Sequence, residues 1–90
     1  MPAIRIPTPL RPYADGQSEV AIQGKTVADA MENLMSGYPS LRPNLTNGDG
    51  KLRPFVNLYL GQNNIRDLKG LETPLQESDK LVLIPSIAGG

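Results

Sequence analysis

Ninety residues suffice for one domain that buries about 60% of its unfolded surface, enough for a single core and too little for an enclosed cleft with several walls. Nine basic residues balance nine acidic ones, so the formal charge is zero and no net field draws in nucleic acid or an anionic membrane. The chain has no Cys, His or Trp, which removes disulfides, thiolate and imidazole metal sites, and the usual Ser-His and Cys-His nucleophiles.

Any chemistry must therefore use carboxylates, amines, hydroxyls or a chain terminus. No apolar run approaches the length of a membrane span, and Met1-Pro2-Ala3-Ile4-Arg5 is not a basic segment leading into an apolar one. The expectation is a cytoplasmic protein that binds neither membrane nor nucleic acid.

Ile4 and Ile6 alternate with Ala3 and Arg5, the period-2 pattern of a strand with one face on a core, and Pro7 ends the run. Residues 8–17 carry Pro9, Pro12, Asp15 and Gly16 and read as a long loop. Residues 18–22 alternate again, with Val20 and Ile22 pointing one way, so the first two strands are expected to pair antiparallel.

Thr26 is a good helix N-cap, with Asp29 in the first turn. Val27, Met31, Leu34, Met35 and Tyr38 then form one apolar stripe on a helix of about three turns, with Gly37 suited to the C-cap and Pro39 opposing continuation. The two methionines at helical spacing read as core rather than as a soft-metal face. Ser40 is placed to cap a short helical turn that sets Leu41 and Leu45 on one side, with Pro43 in its first turn. Asn47-Gly48-Asp49-Gly50 reads as a turn. It lacks the alternating oxygen ligands and terminal Glu of a calcium loop, so no metal site is expected.

Phe55-Val56-Asn57-Leu58-Tyr59-Leu60 is the clearest strand, with Val56, Leu58 and Leu60 facing the helix and Phe55, Asn57 and Tyr59 opposite. Residues 61–64 read as a tight turn into a brief extended piece at Ile65 and Arg66, and Leu68, Leu71 and Leu75 as a loop holding one helical turn. A final strand carries Leu81 and Leu83 inward and Val82 and Ile84 outward, and Pro85, which lacks a ladder donor, ends it. Four strands and one substantial helix bury their apolar faces if the helix lies across the sheet. With the first and last strands central and parallel, the helix belongs to a right-handed crossover. The fold class is α+β: a β-grasp, ubiquitin-like, with a mixed sheet of four to five strands and one main helix packed across it. Its body is residues 1–85, and residues 86–90 form a flexible tail.

Gly89 and Gly90 close the sequence with no side chain, so an extended end can enter a channel too narrow for any Cβ. Two closing glycines arise by chance in roughly one chain in two hundred. The run Ser78-Asp79-Lys80-Leu81-Val82-Leu83-Ile84-Pro85-Ser86-Ile87-Ala88-Gly89-Gly90 resembles the closing segment of the MoaD and ThiS sulfur carriers. Those carriers lead from an acidic turn through an apolar strand and a proline to a terminal Gly-Gly. Ile6-Pro7-Thr8-Pro9-Leu10-Arg11-Pro12, Gly16 and Phe55-Val56-Asn57-Leu58-Tyr59 are similar to the CysO-type carrier of cysteine biosynthesis, so the likeness spans nearly the whole chain. Ser86 departs from the pattern, at a position that is often Pro or Ala.

The resemblance implies that an E1-like enzyme uses ATP to adenylate the Gly90 carboxylate, and that sulfide or a persulfide displaces AMP to leave a thiocarboxylate. In the CysO-type route the sulfur passes to a PLP-dependent cysteine synthase, and a protease of the metal-dependent kind releases cysteine. The carrier itself would be no enzyme and hold no cofactor or metal. Its tail, Ser86, Ile87, Ala88 and Gly89, would deliver Gly90. The outward Phe55, Tyr59, Val82 and Ile84, with Ile87, would form an apolar docking patch ringed by Arg11, Arg53 and Arg66. The competing reading of Val82 and Ile84 is ordinary packing under the long loop. Other destinations for the sulfur are molybdopterin, thiamin, thiolated tRNA or a natural product. Rivals of another class are a ubiquitin-like modifier joined to lysines through Gly90 and a non-covalent β-grasp module. The nine acidic residues show no spacing that demands a paired acid and base.

Overall fold

The computed structural model describes residues 1–48, 51–53 and 56–85. Strand β1 (Ala3–Arg5) pairs antiparallel with β2 (Glu19–Ala21), setting Ile4 opposite Val20 and Arg5 opposite Glu19. Strand β3 (Val56–Leu60) pairs antiparallel with β4 (Asn63–Asn64) and with β5 (Lys80–Pro85), and β5 runs parallel to β1. The order β2-β1-β5-β3-β4 places the first and last strands centrally and parallel, as the sequence pattern requires for a β-grasp.

Alternation along each strand assigns the two faces. Ile4, Val20, Val56, Leu58, Leu81 and Leu83 are buried on one side, and the long helix α1 (Val27–Gly37) adds Val27, Ala30, Met31, Leu34 and Met35 to the same core. Met31 is 2% exposed and Met35 5%, so both methionines are core. Thr26 caps α1 as expected, its Oγ1 accepting the Asp29 amide at 3.2 Å. The helix ends one residue later than the sequence suggests: Gly37 is its last residue, and the Tyr38 amide closes it by donating to the Leu34 carbonyl at 2.9 Å.

The connections are more ordered than composition implies. Residues 8–17, read as a loop, contain a three-residue-per-turn helix over Thr8–Ala14 that buries Leu10 and Ala14. Proline fixes φ near the helical value; Pro9 lies in the first turn, where its missing amide has no partner to lose, and Pro12 lies inside the helix at the cost of one ladder bond. Positive φ at Asp15 (56°) and Gly16 (76°) then reverses the chain. Leu41 and Leu45 are fully buried on one side of a Pro39–Leu41 turn followed by the short helix α2 (Arg42–Leu45), as their spacing predicts. Ser40 is no cap: it lies inside that first turn, where its carbonyl accepts the Asn44 amide nitrogen Nδ2 at 3.0 Å. Part of the 47–50 turn lies outside the described residues.

The brief extended piece falls at Asn63–Asn64 rather than at Ile65 and Arg66. Asn64 caps the next turn through Oδ1, which accepts the Arg66 amide at 2.9 Å, and this coils Ile65–Asp67 while burying Ile65. A further helical turn at Gly70–Glu72 fills the last connection. That connection is bonded to the α1 entrance, where the Val27 amide donates to the Thr73 carbonyl at 3.0 Å and the Leu75 amide to the Lys25 carbonyl at 2.8 Å.

Gly24 is required at this crowded corner. A Cβ there would lie 2.6 Å from the Ala30 backbone nitrogen, an atom that moves only if the start of α1 moves with it. Gly24→Ala is therefore expected to destabilise the fold by about 1–3 kcal/mol, a typical overpacking penalty, read as a lower urea midpoint at unchanged slope.

Candidate functional site: the outer sheet face and the exit of the last strand

β5 is flanked on both sides as far as Val82, which lies opposite Arg5 of β1, and β3 alone accompanies it to Pro85, which lies opposite Val56. Residues 86–90 leave from this end of a central strand. Ser86, Ile87, Ala88, Gly89 and Gly90 lie outside the described residues, as does Phe55.

The face of the sheet away from α1 collects the odd-numbered residues of β1 and β2 and the alternate residues of β3 and β5. Tyr59 and Val82 are direct cross-strand partners, both half-buried, and Ile84 stands opposite Asn57 at 44% exposure. Three of the five residues expected in an apolar patch are thus on one surface, and the exposure of Ile84 is not that of a side chain packed beneath a loop. Cross-strand neighbours at this spacing form a continuous surface.

The same face carries polar residues that the sequence reading did not single out. Lys80 reaches across β1 to Glu19 on β2, Nζ to Oε1 3.1 Å, passing over Ala3, which is the β1 partner of Lys80 and has no side chain beyond Cβ. Arg5 stands between Glu19 and Val82. The signal for these residues was present in the alternation of Arg5 with Ile4 and Ile6. What was missing was which strands are neighbours.

The three arginines expected to ring the patch gather at the same end of the sheet, each fastened to a backbone carbonyl. Arg11 Nε donates to the Ile6 carbonyl at 3.0 Å, just beyond β1. Arg66 Nη2 donates to the Val56 carbonyl at 3.4 Å, at the strand position paired with Pro85. Arg53 donates from Nε and Nη2 to the Pro43 carbonyl at 3.2 and 2.9 Å, while its own carbonyl accepts the Val56 amide at 3.0 Å. Each therefore steadies a segment that borders the β5 exit.

Among the described residues no group of three or more His, Cys, Asp or Glu side chains could hold a metal, and no helix is long and apolar enough to cross a membrane. A groove of about 520 Å³ between α1 and the β3–β4 side is lined by apolar residues including Met31, Met35, Leu58 and Leu71. Glu32, Lys51 and Arg66 also line it. The arrangement is suited to presenting a strand end beside an apolar surface, which is a task of recognition.

Opposite exposure of neighbouring residues on β5 gives a direct check of this face assignment. Leu83→Ala should cost about 2–5 kcal/mol, whereas Ile84→Asp should change stability by about 1 kcal/mol or less, both read from urea unfolding.

Comparison with known proteins places this geometry. The ThiS family model matches residues 4–90. Sulfur carrier protein CysO of Mycobacterium tuberculosis (strain ATCC 25618 / H37Rv) is 34% identical over 89 residues, covering 97% of this chain and 96% of that protein. In the crystal structure of the Amycolatopsis orientalis BexX/CysO complex, a chain superposes with a TM-score of 0.88 at 30% identity, over 100% of both chains. The small archaeal modifier protein 1 of Methanosarcina acetivorans superposes with a TM-score of 0.88 at 33% identity, over 99% of this chain and 95% of that one.

Proposed function

This chain belongs to the ThiS family of ubiquitin-fold sulfur carriers, and from that premise we propose that Gly90 is the residue on which the sulfur travels, most readily toward cysteine synthesis. One observation supports the reading: the family match spans residues 4–90 and so takes in the closing glycines.

The division of labour follows from chemistry. A carboxylate resists attack because its leaving group would be an oxide, so an E1-like partner first transfers AMP from ATP to a Gly90 carboxylate oxygen and releases pyrophosphate. Sulfide then forms the carbon–sulfur bond as AMP leaves and gives the thiocarboxylate directly; a partner persulfide gives an acyl disulfide, which a partner thiol must cleave to release the thiocarboxylate and leave a disulfide on the partner. The absence of side chains at Gly89 and Gly90 lowers the steric barrier to both steps. This chain holds the acyl carbon in place and supplies no acid, base or metal. Residues 1–85 act as the body and 86–90 as the tail, whose five residues span at most roughly 17 Å, enough to reach a partner's active site while the body docks outside.

Tyr59, Val82 and Ile84, with Phe55, form the docking surface in this reading, and Arg11, Arg53 and Arg66 add positive charge beside the tail. The downstream partners are a PLP-dependent cysteine synthase, in which PLP supplies the electron sink, and a protease that releases the product. Consumption of ATP by the charging partner suits a cytoplasmic setting. Overlap with the Mycobacterium tuberculosis carrier across 97% of the chain favours cysteine over molybdopterin, thiamin, tRNA or a natural product as the destination.

Intact mass spectrometry after incubation with ATP, a sulfide source and an E1-like enzyme active on its own carrier should show one oxygen replaced by sulfur, located at Gly90 and absent when Gly90 is deleted. An unchanged mass rejects the carrier reading.

A second reading rests on the structural likeness to the Methanosarcina acetivorans modifier: conjugation through Gly90 to lysines of other proteins. Immunoblots of cell extract distinguish the two. Larger adducts that require Gly90 support conjugation, and the expected result for a dedicated carrier is the free species alone.

A further inference from the structure

Arg5 occupies an unusual place for a cation. It lies at the end of β1, a central strand, on the outer face, with Glu19 opposite on one side and Val82 on the other. Opposite charges directly across a strand pair ordinarily meet. Here Glu19 is taken instead by Lys80, which crosses over Ala3 to reach it at 3.1 Å. No hydrogen bond or ion pair to another described residue engages the Arg5 guanidinium, and the side chain is exposed.

The surroundings give that guanidinium a consequence on docking. Its parallel-strand neighbour Val82 is paired in turn with Tyr59, so a partner that covers the apolar patch also strips water from Arg5. Removing water from an unpaired cation is strongly unfavourable, and Glu19 is already committed, so a partner that offers only apolar surface is penalised. The described outward residues of β1, β2, β3 and β5 carry two cations, Arg5 and Lys80, and one anion, Glu19, in a chain of zero formal charge. The complement is a carboxylate. The planar fork of arginine holds a carboxylate through two parallel hydrogen bonds, a geometry lysine does not reproduce.

We propose that Arg5 is a specificity-determining residue of the docking face, and that the enzyme activating Gly90 presents to it a carboxylate flanked by apolar side chains that cover Val82 and Tyr59. This rests on the sulfur-carrier reading. Whichever acceptor finally takes the sulfur, activation precedes it, so the activating enzyme is the partner that every form of that reading requires.

The test uses the full chain with Arg5→Gln, Arg5→Glu and Arg5→Lys, and as probe the E1-like adenylating enzyme of the source organism, following pyrophosphate release against carrier concentration. The Gln and Glu variants should raise KM about tenfold or more with kcat held within about twofold, and Lys should recover only part of the loss. The wild-type advantage over Gln should shrink as salt is raised, a response that a purely structural defect does not produce. Thermal melts check that each variant is folded, and Gln, which places no negative charge beside Glu19, serves if Glu does not fold. Lys25→Gln, at the far corner near Gly24, should leave KM unchanged. Equal KM and equal salt dependence for wild type and Gln overturn the role of Arg5 while leaving the carrier reading intact. Failure of the wild type to be charged by an enzyme active on its own carrier overturns both.

Discussion

The parallel pairing of β1 with β5 governs the rest of the structure. It joins residues nearly eighty positions apart, setting Ile4 against Leu81 with neither exposed, and it continues below the strands where the Ala3 amide donates to the Asp79 carbonyl at 3.1 Å. Parallel neighbours need a crossover, and here the crossover carries α1 over the inner face. Closing so long a loop costs entropy that local contacts cannot offset, so the buried Ile4, Leu81 and Leu83 must supply the compensating apolar burial. The same pairing makes β5 an interior strand. Pairing with β1 ends at Val82, and β3 accompanies the strand from there to Pro85.

The pleat separates core from surface. Residues alternating on one strand serve different ends: Leu81 and Leu83 disappear into the core with Met31 and Met35, while Val82 and Ile84 remain available on the other face. A domain of this size spends most of its apolar residues on one core, which leaves the outer sheet face as its largest ordered surface. Family membership and the superposition on CysO agree with that physical limit.

The connections contribute more than their irregular composition implies. Pro9 and Pro12 stiffen the Thr8–Ala14 helix and reduce the freedom lost on folding. Gln17 Nε2 then ties this segment to the Tyr38 hydroxyl at 2.7 Å, at the end of α1. Arginine side chains close the remaining loops by donating to carbonyls, with Arg53 on Pro43 and Arg66 on Val56. Charge that read as a recognition ring thus also has structural work at the strand end.

What the sequence determined by itself was periodicity and punctuation. The stripe from Val27 to Met35, the alternation in β3 and β5, the Thr26 cap and the closing Gly-Gly are local patterns whose meaning depends on backbone geometry alone. They made the β-grasp and the core legible, and the family resemblance supplied the chemistry. Tertiary structure decided the coiling of residues 8–14, where turn-forming prolines proved compatible with successive helical turns, and the shift of the extended piece to Asn63–Asn64, where an Asn64 side chain captured the next amide. It also decided that Glu19 meets Lys80 rather than the Arg5 opposite it. Such choices depend on which strands become neighbours, and neighbourhood is set by the packing of the whole chain, which no short stretch encodes.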